Sequence, residues 1–461
     1  MKKERKYEWK GALKALLVIA VICAGIGFAM AAWDDTKSTG DTLTAAEWNA
    51  MVADQKNRTA AGAYSYLVGV NTANDNVPGD TGYWVKNSSG MVVFTESDPN
   101  HAENAIQYAI DNLPQTEKGG GGTIFLNGMF NISNTIKANI HRLTLVGAGI
   151  ESTTLKLADN ANCNILEQDS DDYNYWLLIE HICFDANDAE NTAGSCIKLN
   201  KTRDVLIFDC FLRNAAEYGL YVVRPYNLNL IGTVIEHCNE AGLFTGPVVE
   251  GTYDGRDVKV IGGKIIWNEG RGAHICSNHV SIAHVYFMNN GYEGLWVDGS
   301  EGLVISDCEF VHNSYGHTGT YSQIKIKDAH HIKICQNFID GDNVSKYGVE
   351  VLDTATEVLI SDNSILNHVT APIYDGATST KIHDNTGYVT ENSGTAIIAN
   401  GNTSVVVNHG LAKAPEHGIR LTGTHSEVAN CWVTNVTDTQ FTINAPPAVT
   451  ADRYVFWKAE V

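Results

Sequence analysis

The sequence predicts an all-β protein built mainly as a right-handed parallel β-helix, and three observations lead to this prediction. A short apolar alternation returns every 22 to 30 residues between about Arg142 and Asp384. The runs are rich in β-branched residues, which favours strands, and they are too short for repeated helices. A period in the twenties indicates stacked units that bury their apolar faces only against each other. The alternations begin at Val205, Leu228, Val258, Val280, Leu303, Ile332 and Val358.

A second strand in several units is predicted by the pattern Gly-apolar-x-apolar. The pattern occurs at 219–222, 242–245, 272–275, 294–297 and 348–351. Side chains alternate between the two faces of a strand, so the apolar residues should point into the solenoid and x should point outward. Each coil therefore has two or three short strands, and equivalent strands should stack into parallel sheets.

The N-terminal residues 1–32 predict export. Basic residues from Lys2 to Lys14 precede or enter an apolar stretch from Ala15 to Ala32, and Ala29-Met-Ala31 offers a small-x-small cleavage site. This pattern is typical of a secretory signal peptide, and its length also suits a retained membrane anchor. Both alternatives place the protein outside the cell or at the cell surface, with the membrane contacted only through this segment.

Three further parts follow along the chain. Residues 33–97 contain a predicted neck helix at 42–54, with a capping box of Thr44 and Glu47, and then a small β segment. An amphipathic helix at 98–113 opens the β-helix, which we assign to 98–390. From 391 to 461, six alternating segments separated by turn residues predict a small antiparallel β-sandwich.

The start of the β-helix resembles the pectate-lyase-like β-helix family, which has the pectin-lyase fold and includes viral tail spikes and many exported bacterial and archaeal proteins. The resemblance lies in Ala105–Pro114, Gly119–Gly128, Leu143–Gly149 and Thr154–Leu157 and extends over roughly 98–390. It implies that the helix caps the solenoid and that the glycine-rich turn leads into the first coil. Residues 403–411 also resemble a strand-turn signature in C-terminal sandwiches of phage tail fibres and spikes. The fold hosts lyases, hydrolases, epimerases and non-enzymes, so it implies no single activity.

The net charge and the cysteine content limit which binding partners and cross-links are expected. The net charge of −21 disfavours nonspecific binding to nucleic acid, which needs a cationic surface. Ten cysteines would suggest disulfides in an exported protein, but Cys183, Cys210 and Cys308 each precede a coil's aromatic residue. We therefore expect these three side chains to point inward as small apolar groups.

A carbohydrate-binding strip is the strongest functional prediction. The outward x positions of four consecutive coils are Tyr221, Phe244, His274 and Trp296, with Glu350 at a later coil. Successive rings should lie about 4.8 Å apart on the outer surface. Glu217, Glu240, Arg271 and Glu293 flank them. Rings stack on sugar faces, and the charged groups bond hydroxyls. The alternative is that the loop at 247–255 folds over the rings and makes them a satellite core.

Catalysis is left open by the sequence. Glycoside hydrolysis needs two carboxyl groups about 5–10 Å apart, and Glu217 with Glu240, or Glu240 with Glu293, would suit that spacing. A polysaccharide lyase would need a base, for which Arg271, His274 and His279 are the nearest candidates. No catalytic motif of polygalacturonases or pectate lyases is matched. No cofactor or metal site is assigned; the acidic clusters at 169–172 and 185–188 keep calcium open as a ligand, although they lack a regular ligand spacing.

These features favour an exported, surface-associated protein that binds polysaccharide or a cell-surface glycan and could also cleave it. Two rivals remain: a structural or adhesive surface protein, and a viral tail-spike-like receptor-binding protein, against which the export segment argues. By analogy with tail spikes, a homotrimer would suit the neck and the sandwich, although the sequence does not fix the oligomeric state.

Overall fold

The computed structural model describes residues 64–71, 81–115, 120–246, 255–377, 379–415 and 418–461, without the side chains of residues 170–172. The predicted signal or anchor segment at 1–32, the neck helix at 42–54 and the loop at 247–254 lie outside these residues. Within the described ranges, no helix is long and apolar enough to cross a membrane.

Three stacks of parallel strands, here called sheets 1, 2 and 3, form the body of the solenoid. The longest two strands, Leu166–Glu180 and Ile197–Phe208, bend from sheet 1 into sheet 2. Sheet 1 contains Ile136–Lys137, the first parts of these two strands, Tyr218–Val223, Ala241–Gly246, Arg271–Ile275, Leu295–Asp298, Ile324–Lys327, Tyr347–Val351 and Ala371–Asp375.

Sheets 2 and 3 complete each coil. Sheet 2 contains Tyr66–Val70, the first part of Gly122–Ile132, Leu143–Gly147, the second parts of the two long strands, Tyr226–Ile231, Arg256–Ile261, Asn278–Ala283, Glu301–Ser306, His330–Cys335, Thr356–Ser361 and Lys381–His383. Sheet 3 contains the second part of Gly122–Ile132, Thr153–Leu157, Cys183–Asp185, Phe211–Ala215, Val234–Cys238, Lys264–Ile266, Tyr286–Met288, Glu309–Val311, Phe338–Asp340 and Ser364–Leu366.

The sequence repeat corresponds to one coil of the solenoid. Val205 pairs with Leu228, Leu228 with Val258, and the later repeat starts continue the same register along sheet 2. All of these residues are at least 98% buried. The prediction of an all-β fold dominated by a parallel β-helix is therefore confirmed.

A helix and an antiparallel hairpin cover the N-terminal end. Helix α1 spans Ala102–Asp111, inside the predicted 98–113, and its buried residues include Ile106 and Ile110. Strands Tyr83–Asn87 and Val92–Glu96 continue the sheet antiparallel to Tyr66–Val70. An uncovered solenoid end exposes unpaired backbone groups and apolar side chains. The hairpin pairs with the backbone of Tyr66–Val70, and the helix covers apolar side chains.

Asparagine ladders stabilise two of the turns. Asn268, Asn290 and Asn313 are at least 99% buried, and the side-chain amide of each donates to the next residue's amide oxygen, ending on Gln323. Asn337, Asn363 and Asn385 form a second ladder in the same way. These contacts satisfy polar groups that would otherwise be buried without partners, and they keep the coils in register.

The inward cysteines are as predicted. Cys183, Cys210 and Cys308 are at least 98% buried, and burial raises the pKa of the Cys210 and Cys308 thiols to about 12. Among the described residues, no two cysteines are joined by a disulfide. The thiols therefore act as small apolar groups, and the coils hold together without disulfides.

Two small antiparallel sheets follow the last coil. Glu391–Ile398, Arg453–Glu460 and Arg420–Gly423 form one, and Ser404–Asn408, Gln440–Asn444 and Trp432–Thr434 form the other. A 3₁₀-helix, Ser426–Val428, follows the strand Arg420–Gly423. Both sheets share one buried cluster, in which Phe441 meets Trp457 edge to face with ring centroids 5.5 Å apart. The expected small C-terminal sandwich is present.

Candidate functional site

The four predicted rings form one continuous row on the outer face of sheet 1, which we call the ring row. Tyr221 pairs in register with Phe244, Phe244 with His274, and His274 with Trp296. The Tyr221 and Phe244 rings stack with centroids 4.8 Å apart, and the His274 and Trp296 rings stack at 4.5 Å with only 5° between their planes. The two stacks meet edge to face between Phe244 and His274 at 5.2 Å.

The rings lie on the outer face, as the strand pattern predicted, and they are half-buried there. Their mutual stacking covers one face of each ring, and neighbouring side chains cover the edges. Tyr218 packs against both Tyr221 and Phe244, with centroids 4.8 and 5.9 Å apart. Arg271 lies over the Trp296 ring, its guanidinium carbon 3.9 Å from the centroid. The row is therefore a rigid aromatic surface held at both ends.

His274 is neutral in this setting. Burial lowers the pKa of its imidazole to about 4, and the positive charges of Arg271 and Lys327 act in the same direction. At neutral pH the ring row thus presents an uncharged imidazole stacked on an indole, which suits contact with the apolar face of a sugar more than proton transfer.

Glu293 is a buried member of an ion-pair network beside the ring row. The residue is 98% buried, and its Oε2 accepts a hydrogen bond of 3.1 Å from Arg271 Nε. Lys325 Nζ lies 3.9 Å from Glu293 Oε1 and 3.8 Å from Glu350 Oε2. Glu350 also accepts a hydrogen bond of 2.8 Å from Ser322. The Glu293 carboxylate therefore holds Arg271 and Lys325 in place beside the ring row.

The other two predicted carboxylates lie on adjacent coils. The amide of Glu240 donates to the carbonyl of Glu217, which puts the two residues one above the other. Glu240 is exposed, while Glu217 is half-buried and accepts a 3.4 Å hydrogen bond from Ser195. Glu293 lies two coils from Glu240, at the register position of Arg271. The structure brings Glu217 and Glu240 together and separates Glu293 from them.

Sequence reasoning missed four members of the same outward row. Lys325 pairs with Trp296 and Glu350, and Tyr374 follows Glu350. The strand Ile324–Lys327 has the apolar-x-apolar pattern, but Gln323 replaces the glycine that marked the other strands. Before the rings, Lys198 and Glu167 occupy the same row. Searching for apolar-x-apolar without the glycine would have found Lys325.

In the described residues, the acidic clusters at 169–172 and 185–188 are not arranged as a metal centre. Asp185 Oδ1 accepts hydrogen bonds from the Asn187 amide and Asn214, and Oδ2 pairs with Arg213 Nε at 3.0 Å. The side chains of Asp171 and Asp172 lie outside the described residues. Across the described ranges, no group of three or more His, Cys, Asp or Glu side chains is arranged to hold a metal ion.

Comparisons with known proteins support the fold. Residues 251–386 match the family model described as a right handed beta helix region. No curated protein sequence matches the chain. A solved structure of ORF18 from Geobacillus virus E2 is similar over 91% of this chain and 83% of that chain, with 16% identity and a TM-score of 0.53.

Two more distant similarities have lower TM-scores. The Azotobacter vinelandii mannuronan C-5 epimerase AlgE6 A-module covers 62% of this chain and 94% of its own, with 17% identity and a TM-score of 0.40. Full-length tailspike protein 2 of an Escherichia coli O157:H7 bacteriophage covers 83% and 68%, with 12% identity and a TM-score of 0.47. At 16% identity the similarity to ORF18 shows the fold alone; together with the family match, this fold is the right-handed β-helix that the sequence resemblance implied.

Proposed function

We propose that this protein binds polysaccharide along the ring row, as an exported, surface-associated, tail-spike-like protein. The observation that supports the proposal is the register of Tyr221, Phe244, His274 and Trp296 on four adjacent coils. Coils repeat about every 4.8 Å, close to the length of one sugar residue in an extended chain. Aromatic ring edges at this repeat, flanked by charged groups that can bond hydroxyls, suit a glycan running along the solenoid.

Binding is better supported than cleavage. The carboxylate of Glu293 is held in ion pairs with Arg271 and Lys325, and a pKa of about 4 makes the His274 imidazole a weak base at neutral pH. Glu217 and Glu240 are the remaining pair on adjacent coils. If the protein also cleaves its glycan as a hydrolase, we propose that these two carboxyl groups do so.

A screen of the full-length chain on a panel of polysaccharides tests both the proposed binding and the proposed cleavage. Binding is measured by affinity electrophoresis, and cleavage by release of reducing ends or of unsaturated uronates. Trp296→Ala should weaken binding, while Tyr286→Ala, which removes a 40%-exposed aromatic ring from sheet 3, should not. If no polysaccharide is retained, the rival structural role, in which the solenoid is a rigid spacer, is favoured instead.

Export, surface location and a homotrimer are part of the same proposal. Membrane fractionation of the full-length chain distinguishes a cleaved signal peptide from a retained anchor, and sedimentation equilibrium measures the number of subunits. Recovery of the whole chain from the cytosol would contradict the exported part of the proposal without affecting the glycan-binding part.

A further inference from the structure

A second row of side chains on sheet 2 alternates tyrosine and arginine, and we call it the arginine–tyrosine row. Tyr175, Arg203, Tyr226 and Arg256 pair in register on four successive coils. The Arg203 guanidinium carbon lies 5.7 Å from the Tyr175 centroid and 4.5 Å from the Tyr226 centroid. Arg256 lies 4.7 Å from Tyr226 on the other side. Each contact is within the range of a cation–π interaction.

Stacking fixes the guanidinium planes and leaves their donors outward. Arg203 and Arg256 are exposed, and the Arg203 side chain keeps 45% of its surface accessible. A guanidinium held by stacking loses little further freedom when it binds a carboxylate or sulfate with two hydrogen bonds. The two arginines are two coils apart, about 10 Å along the stack. The row thus presents two preorganised anion-binding groups at a regular spacing.

The charges of this row are poorly neutralised within the protein. In the described part of the chain, the one carboxylate oxygen within 4 Å of either guanidinium is Asp204 Oδ2, 3.9 Å from Arg203 Nε. The cations of sheet 1 differ: Lys137 and Lys198 contact Glu167, and Arg271 and Lys325 contact Glu293. In a protein of net charge −21, two stacked arginines with a single weak partner are an unusual local arrangement.

We infer that the arginine–tyrosine row binds the acidic groups of a polysaccharide bearing carboxylates or sulfates. This inference rests on the proposed function and specifies its substrate class. Tyr226 follows Tyr221 by five residues on the same coil, so the two rows lie on neighbouring sheets of the solenoid. The ring row contacts the apolar faces of sugars, and the arginines select sugars that carry a negative charge. Two exposed arginines suit spaced charges along a glycan better than a nucleic acid, whose binding needs many cations.

The test compares matched probes on the full-length chain. Affinity for polygalacturonate, dextran sulfate and neutral dextran is measured at low and high salt. The double variant Arg203→Gln, Arg256→Gln should bind at least one of the acidic polymers about tenfold more weakly and lose most of its salt dependence. A control double variant, Lys264→Gln with Lys333→Gln, removes the same charge from exposed lysines outside the row and should bind as the parent chain does.

The outcomes separate this inference from the proposed function. If polysaccharide is bound but the arginine double variant equals the lysine control, the inference is wrong and the ring row still stands. If an oligodeoxythymidine competes better than either acidic polymer, the row is a phosphodiester site and the inference is again overturned. If none of the polymers is retained, the proposed function fails and this inference fails with it. Circular dichroism melting of each variant verifies that the coils remain folded.

Discussion

Two adjacent residues, Leu295 and Trp296, provide the sharpest test of the ring row. They lie on one strand of sheet 1, with opposite facing. Leu295 is fully buried, whereas Trp296 is half-buried on the outer face. Truncating each to alanine should therefore separate a loss of core packing from a loss of glycan contact, since the mutated positions share one backbone.

The structure sets the expected magnitudes. Leu295→Ala leaves a cavity in the solenoid core and should lower the free energy of unfolding by about 2–5 kcal/mol. Trp296→Ala removes the stack on His274 at 4.5 Å and the Arg271 contact at 3.9 Å, and should cost about 1–3 kcal/mol of stability. The two substitutions should affect polysaccharide affinity in the opposite order. Trp296→Ala should weaken polysaccharide affinity by about 1–3 kcal/mol, as expected for an aromatic anchor, and Leu295→Ala should leave it unchanged in folded molecules.

The assay combines urea unfolding, followed by far-UV circular dichroism, with isothermal titration calorimetry on the best polysaccharide from the panel. Affinity is expressed per folded molecule, so that a partly unfolded variant does not mimic a binding defect. The reasoning is refuted if Trp296→Ala destabilises the chain as expected while its affinity per folded molecule equals that of the parent. The ring row would then be a satellite core that supports the coils without contacting ligand.

Three other predictions follow from buried polar groups. Asn290→Ala breaks the asparagine ladder, leaves a buried partner amide unsatisfied, and should cost about 2–3 kcal/mol in urea unfolding; a cost near zero would contradict the structural role of the ladder. Glu293→Gln removes the carboxylate that neutralises Arg271 and should cost about 3 kcal/mol with glycan binding retained, whereas a stable variant that loses a cleavage activity would make this residue catalytic. His274, with a folded pKa of about 4 against 6.5 in the unfolded chain, takes up a proton on unfolding between those values, so stability is retained above pH 6.5 and falls by up to about 3 kcal/mol as pH drops to 4. His274→Phe should flatten that part of the pH–stability curve, and an imidazole NMR titration near pH 6.5 would show that the ring is solvated.

Much of the fold could be predicted because a solenoid repeats its own sequence rules. The spacing of Val205, Leu228 and Val258 predicts the coils by periodicity alone. The register along sheet 2 follows because each coil must stack its apolar residues on those of the preceding coil. The facing of Tyr221 and Trp296 followed from strand alternation in the same way. Local patterns suffice wherever each contact is between equivalent positions of adjacent coils.

The sequence alone thus determined the solenoid, its cap, the terminal sandwich and the outward ring row. Only the tertiary structure decided what surrounds those rings. That Glu293 is buried between Arg271 and Lys325, and that stacking leaves Arg203 and Arg256 exposed beside Tyr226, depends on side-chain directions across coils. Exposure, pKa and ion pairing arise from the three-dimensional neighbourhood, because desolvation and Coulomb energies depend on distance and burial, which no single strand pattern encodes.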